Sequence, residues 1–179
     1  MVTNNTSLIM KKILTLFLFA FFCLLGNAQE TYNFSTKDGD VIWQKVYPTT
    51  LDTKAVFDAI KTGGNLADIT ETEQVLTGNL VERAAEYSSL GYSRGNVPIF
   101  VNHLLGGFVK VEMREGRYRV TVSKMYRIDD NTPQRERTDF TFYVKKNGDF
   151  RFFPETARII FDANFNKMFE IKDMEEEDW

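Results

Sequence analysis

The sequence predicts an α+β fold: one antiparallel β-sheet with two helices packed on a single face. Three observations carry this. Two long strand-like runs, 107–114 and 117–128, flank Glu115-Gly116, a hairpin signal. Two segments, one following Asp52 and one following Pro154, repeat apolar residues at helical spacing. The rest consists of short β-branched and aromatic runs punctuated by turn residues, with no internal repeat and no low-complexity linker.

Residues 40–47 are β-branched and aromatic and close on Pro48, which predicts a strand. Thr50-Leu51-Asp52-Thr53 then offers capping side chains. Val56, Ala59 and Ile60 recur at helical spacing, and Gly63-Gly64 supplies the stop. Residues 68–83 read as strands around a turn near Glu71-Thr72, and 87–96 as a loop rich in Gly and Ser. The apolar run 97–101 contains Pro98, which makes it an edge strand or a strand start. In the arm 117–128, Tyr118, Val120, Val122, Tyr126 and Ile128 share one face, and Arg117, Arg119, Thr121, Ser123 and Arg127 the other, the pattern of a half-solvated strand. A polar loop is predicted for 129–137, then a hairpin of 140–144 and 150–153 around Lys146-Asn147-Gly148. Pro154-Glu155 opens the last helix, whose stripe is Ala157, Ile160, Phe161, Phe165 and Met168. Residues 29–172 thus read as a single domain and 173–179 as an acidic, solvated tail.

The first 28 residues have a different character. Lys11 and Lys12 precede an apolar run over 13–25 that ends in Gly26-Asn27-Ala28, the pattern of a secretory signal peptide cut after Ala28. Met10 directly before the lysines fits the start of such a signal, so residues 1–9 read as an upstream extension and a mis-assigned start. The run is too short to span a bilayer, which predicts no membrane span once the signal is removed. The expected location is the periplasm or the medium outside the cell. Cys23, the only cysteine, lies inside the apolar run. Phe21-Phe22 before it are too large for a lipoprotein acceptor site, so the expected product is soluble and free of disulfides. Two of the 22 basic residues and none of the 25 acidic ones lie in 1–28, so residues 29–179 carry a net charge of −5. That balance argues against a nucleic-acid partner, since phosphate binding needs a basic surface.

Val41-Ile42-Trp43-Gln44-Lys45-Val46-Tyr47, and the hairpin Gly107-Phe108-Val109-Lys110-Val111-Glu112-Met113-Arg114-Glu115-Gly116-Arg117-Tyr118-Arg119-Val120-Thr121-Val122, carry a resemblance. With the order strand, helix, several strands, helix, this stretch resembles a family of small exported bacterial proteins of unknown function with a TATA-binding-protein-like (TBP-like) fold. The likeness spans roughly 41–128. It implies the shape and a β-α-β(n)-α order. It brings no catalytic or ligand residues, and the fold name does not import DNA binding.

Motifs for chemistry are sparse. Gly91-Tyr92-Ser93-Arg94-Gly95 matches G-x-S-x-G, but Pro98 comes too soon after it for the helix that a nucleophile elbow needs. The sole histidine, His103, sits in apolar surroundings, cannot form a closed zinc site alone, and reads as a structural, hydrogen-bonded residue. Asp38-Gly39-Asp40 and Asp129-Asp130-Asn131 lack the length and terminal glutamate of a calcium loop and read as turns. No metal, cofactor or catalytic residue is therefore expected. The leading expectation is a non-enzymatic exported domain that binds a small molecule, a peptide or an envelope component. Its alternatives are a hydrolase using Ser93 or paired carboxylates, and a structural partner in an envelope complex. The expected contact surface joins the 87–96 loop, through Tyr92 as a stacking group and Arg94, to Arg117 and Arg119 on the open sheet face.

Overall fold

A tight hairpin begins the described part of the chain. Strand β1 (Phe34–Lys37) and strand β2 (Asp40–Pro48) pair across Asp38-Gly39, both of positive φ (52° and 79°). That is the turn whose twist suits two right-twisted strands, and glycine takes it without strain. Strand β1 escapes a reading of the sequence because only Phe34 of its four residues is buried. The computed structural model describes residues 32–171. The expected signal segment 1–28 and the acidic tail 173–179 lie outside the described residues.

Helix α1 (Thr53–Thr62) starts where the sequence places it. Asp52 caps it by accepting the Ala55 N–H at 2.8 Å, and the backbone turns out of the helix at Gly63 and Gly64 (φ 63° at the second). Strands β3 (Leu66–Glu71) and β4 (Val75–Leu80) form the expected hairpin, and β5 (Arg83–Ala84) is a short extension beside the next strand. The register of β3 slips between Ala67 and Thr70, where Asp68 has φ 52°. Such a bulge interrupts the ladder on what is an edge strand, blunting it against further pairing.

Strands β6 (Leu104–Arg114) and β7 (Arg117–Asp129) form the centre. All pairings are antiparallel, in the order β1-β2-β7-β6-β4-β3; β5 pairs with β6, and β8 (Glu136–Asp139) pairs with β7. The alternation on β7 holds from Arg117 to Ser123 and then reverses. Lys124 adopts φ 50°, its N–H is held by Asp40 Oδ2 at 2.7 Å, and the β6–β7 register shifts between Gly106 and Phe108. This β-bulge adds one residue to β7. Met125 therefore takes the buried position expected of Tyr126, while Tyr126 turns outward and hydrogen-bonds Glu82. Arg127 is likewise corrected. Instead of pointing to the open face, it lies 5.7 Å over the buried Phe100 ring.

Three other expectations change. Residues 97–101 form no strand; Ile99–Asn102 is a 3₁₀ turn that buries Phe100 and Val101. Part of the expected 129–137 loop becomes β8. The expected 140–153 hairpin reduces to a 3₁₀ turn (Phe140–Tyr143) and one bridge, Val144 to Phe150. Short aromatic runs suit either a strand or a turn that inserts its rings, and burial decides between them.

Helix α2 (Glu155–Phe169) closes the fold. It buries Ala157, Ile160, Phe161 and Phe165 as expected and Phe169 in addition. These side chains join Val56, Phe57 and Ile60 of α1, and Trp43, Tyr118, Val120 and Val122 of the sheet, in one core. The protein is thus α+β, a single antiparallel sheet with two helices. No helix among the described residues is long and apolar enough to cross a membrane.

Candidate functional site

With Trp43, Val120, Val122, Val109 and Val111 turned into the core, strand alternation sends Ile42, Gln44, Thr121, Ser123, Lys110 and Glu112 to the opposite face. Together with Lys37, Asp38, Asp40, Arg119 and Lys124, these residues line an open trough of about 630 Å³. A smaller depression of about 210 Å³ adjoins it at the β6–β7 hairpin end, lined by Val46, Glu112, Arg114, Arg117 and Arg119.

Glu112 is the hub between the two. Its Oε2 accepts from Arg119 Nη2 at 2.7 Å and Nε at 3.1 Å, and its Oε1 lies 2.9 Å from Lys110 Nζ. The Lys110 ammonium, and behind it the Arg119 guanidinium, hold the Glu112 carboxyl below the usual carboxylate range. A depressed carboxyl adds stability above its unfolded-state pKa, and that stability is lost as pH falls through the folded-state value. Glu112→Gln is expected to lower the unfolding free energy at pH 7 by at most about 1 kcal/mol, since both partners are surface cations. Urea midpoints of the two proteins should converge in acid; a difference that persists unchanged at pH 2 would refute the ion-pair origin. Elsewhere in the trough, Gln44 Nε2 donates to Thr121 Oγ1 at 2.8 Å.

The expected site residues fall into two places. Arg117 and Arg119 line the hairpin-end depression together. Tyr92 and Arg94 are elsewhere. Their loop leans on the core through Tyr87 and Tyr92, and the adjoining Glu86 N–H is held by Asn164 of α2. The loop thus belongs to the helix-covered side, and the two described depressions on the open face are lined without it. Ser93 and His103 take separate partners. Ser93 bonds Asn96 within its own turn, whereas His103 Nδ1 accepts from Arg127 Nη1 at 2.8 Å and its Nε2 lies 3.7 Å from Asp129. Among the described residues, no three His, Cys, Asp or Glu side chains cluster as a metal site.

No protein-family model matches the chain, and neither does any curated protein sequence. Two solved structures are similar. One is a TBP-like protein from Parabacteroides distasonis ATCC 8503, at 11% identity and a TM-score of 0.48, over 75% of this chain and 93% of the other. The second is a DUF4468 family protein from Bacteroides ovatus ATCC 8483, at 12% identity and a TM-score of 0.43, over 79% and 93%. At such identities a similar backbone course says nothing of shared chemistry.

Sequence reasoning missed Lys37, Gln44, Thr121 and Ser123 as trough residues. The outward phase of β2 and β7 was legible in the alternation. That β2 lies directly beside β7, with Gln44 opposite Thr121, was not. Arg114 carried a legible signal: it stands across Glu115-Gly116 from Arg117, and a hairpin there sets the two side by side.

Proposed function

We propose that this protein is an exported, non-enzymatic binding domain that takes a polar ligand, a peptide or an envelope component, in the trough of its open sheet face. The observation that supports this best is the trough itself. Its volume of about 630 Å³ falls in the range of ligand sites, and it lies on the sheet face opposite the helices. Its lining mixes cations, carboxylates, hydroxyls and one amide around Ile42. Most ligand pockets are largely apolar; a polar, open lining selects instead for a ligand with many hydrogen-bonding groups. The export reading rests on the basic and apolar pattern of residues 11–28, and intact mass of the protein recovered from cells tests the cut after Ala28.

The binding test is a titration of the protein with soluble peptidoglycan fragments and with short peptides, followed by amide NMR. Resonances of Lys110, Thr121, Ser123 and Lys124 are expected to shift with at least one probe. Lys37→Glu combined with Lys124→Glu, both at exposed positions, is expected to weaken that binding tenfold or more, about 1.4 kcal/mol. Shifts confined to 87–96, with affinity lost in Arg94→Glu instead, would move the site to the loop and overturn the trough.

A further inference from the structure

We infer that the arginine-lined depression at the β6–β7 hairpin end is a docking site for an acidic peptide, and that its occupant is residues 173–178 of this same chain. The inference starts from a broken local rule. Arg114 and Arg117 stand directly opposite each other in the last pair of the hairpin. Like charges in that position repel. Both side chains are exposed, and neither has an ion pair or hydrogen bond among the described residues. Arg119 beside them is only partly neutralised, because Glu112 is shared with Lys110. The depression thus gathers three guanidinium groups and one carboxylate around Val46, which is 49% exposed. A site that tolerates such repulsion is built for an anion, and guanidinium forks match carboxylates in geometry as well as charge.

The place where the described chain ends selects the occupant. The Ile171 N–H donates to Tyr118 Oη at 3.0 Å, and the same hydroxyl donates to the Phe169 carbonyl at 2.8 Å. Tyr118 stands between Arg117 and Arg119 on β7, so the chain passes residue 171 at the same end of the sheet as the arginines. The sequence continues from there as Lys172-Asp173-Met174-Glu175-Glu176-Glu177-Asp178, with five carboxylates in the last six of these residues. From Ile171, six extended residues reach at most about 20 Å, enough to round the hairpin tip from the covered face to the open one. The carboxylates at the far end of that reach, Glu176, Glu177 and Asp178, are then available to meet Arg114 and Arg117. This docking stands apart from the trough reading: the two depressions share only Glu112 and Arg119.

The test compares amide spectra of the full chain with those of a variant carrying Glu175→Gln, Glu176→Gln and Glu177→Gln, with core resonances as the control for folding. The expected result is a shift of Val46, Arg114, Gly116 and Arg117 in the variant. The same shift should be produced in the unaltered chain by about 1 M salt, where the Debye length is about 3 Å. A synthetic peptide of residues 172–179 added to the variant should restore the original positions. In the complementary variant, Arg114→Glu with Arg117→Glu, the resonances of 173–178 should move. Hairpin resonances that stay put in the glutamine variant would overturn the proposal. Shifts that vanish on dilution would assign the contact to a second copy and overturn it equally. Displacements centred on Lys37 and Lys124 would overturn the placement while leaving the trough reading intact.

Discussion

Replacing Trp43 by alanine is expected to lower the unfolding free energy by about 3–5 kcal/mol. Trp43 is fully buried at the centre of β2. Its ring lies 5.1 Å from that of Phe165 and 6.3 Å from that of Phe169, so it is the plate on which α2 rests. Its Nε1 donates to Asp162 Oδ1 at 2.7 Å. That carboxylate retains Asn33 and Asn166 as donors, so the alanine variant does not orphan it. The lost volume dominates, and a helix end cannot sink far enough to fill it. A domain of this size holds some 5–15 kcal/mol in total, so the variant should stand near the edge of folding. Urea unfolding followed by far-ultraviolet circular dichroism measures it, since the substitution removes the buried indole fluorophore. A loss below about 1 kcal/mol would mean that Trp43 does not anchor α2.

The second large effect is expected at Gly106. A β-carbon there would lie 2.3 Å from Tyr126 Cζ and 2.6 Å from its hydroxyl. Tyrosine rings can swing away from such a clash, but this one is held twice. Its hydroxyl donates to Glu82 at 2.9 Å, and the Arg137 guanidinium stacks 3.7 Å from its centroid. Gly106→Ala should therefore cost about 1–3 kcal/mol, the range for overpacking. The double-mutant cycle with Tyr126→Ala separates this clash from a general need for glycine. The alanine penalty is expected to shrink toward zero once the ring is gone. A penalty equal in both backgrounds would place the constraint in the backbone of the bulge instead.

That bulge marks where sequence reading stopped working. The β7 alternation is correct for as long as pairing stays in register, from Arg117 to Ser123. One extra residue at Lys124 then inverts every side chain after it. Nothing in Ser123-Lys124-Met125 announces the insertion, because lysine has no preference for positive φ. The signal lay on other strands: Gly106-Gly107 makes room opposite, and Asp40 supplies the carboxylate that holds the Lys124 N–H. Arg127 changed role with it, from a surface cation to the partner of His103.

The candidate site divides in the same way. Arg117 and Arg119 were legible as outward residues of one strand, and the structure places both in one depression. Joining them to Tyr92 and Arg94 required knowing which side of the sheet the 87–96 loop covers. That is decided by Tyr87 and Tyr92 packing on the core and by Asn164 reaching the Glu86 N–H from α2.

Sequence alone determined the class of the fold, the positions of α1 and α2, and the central hairpin with its two faces. These arise from local chemistry: an aspartate cap, paired glycines, a proline at the helix start, and period-two or helical spacing of apolar residues. Tertiary structure alone decided that β2 lies against β7, that β1 and β8 exist, and that 97–101 and 140–143 coil into turns rather than extend. It also decided which outward side chains share a trough. The reason is that strand pairing, bulges and the burial of short aromatic runs are settled by partners distant in sequence, and the energy of each partner exists only once the sheet and helices have met.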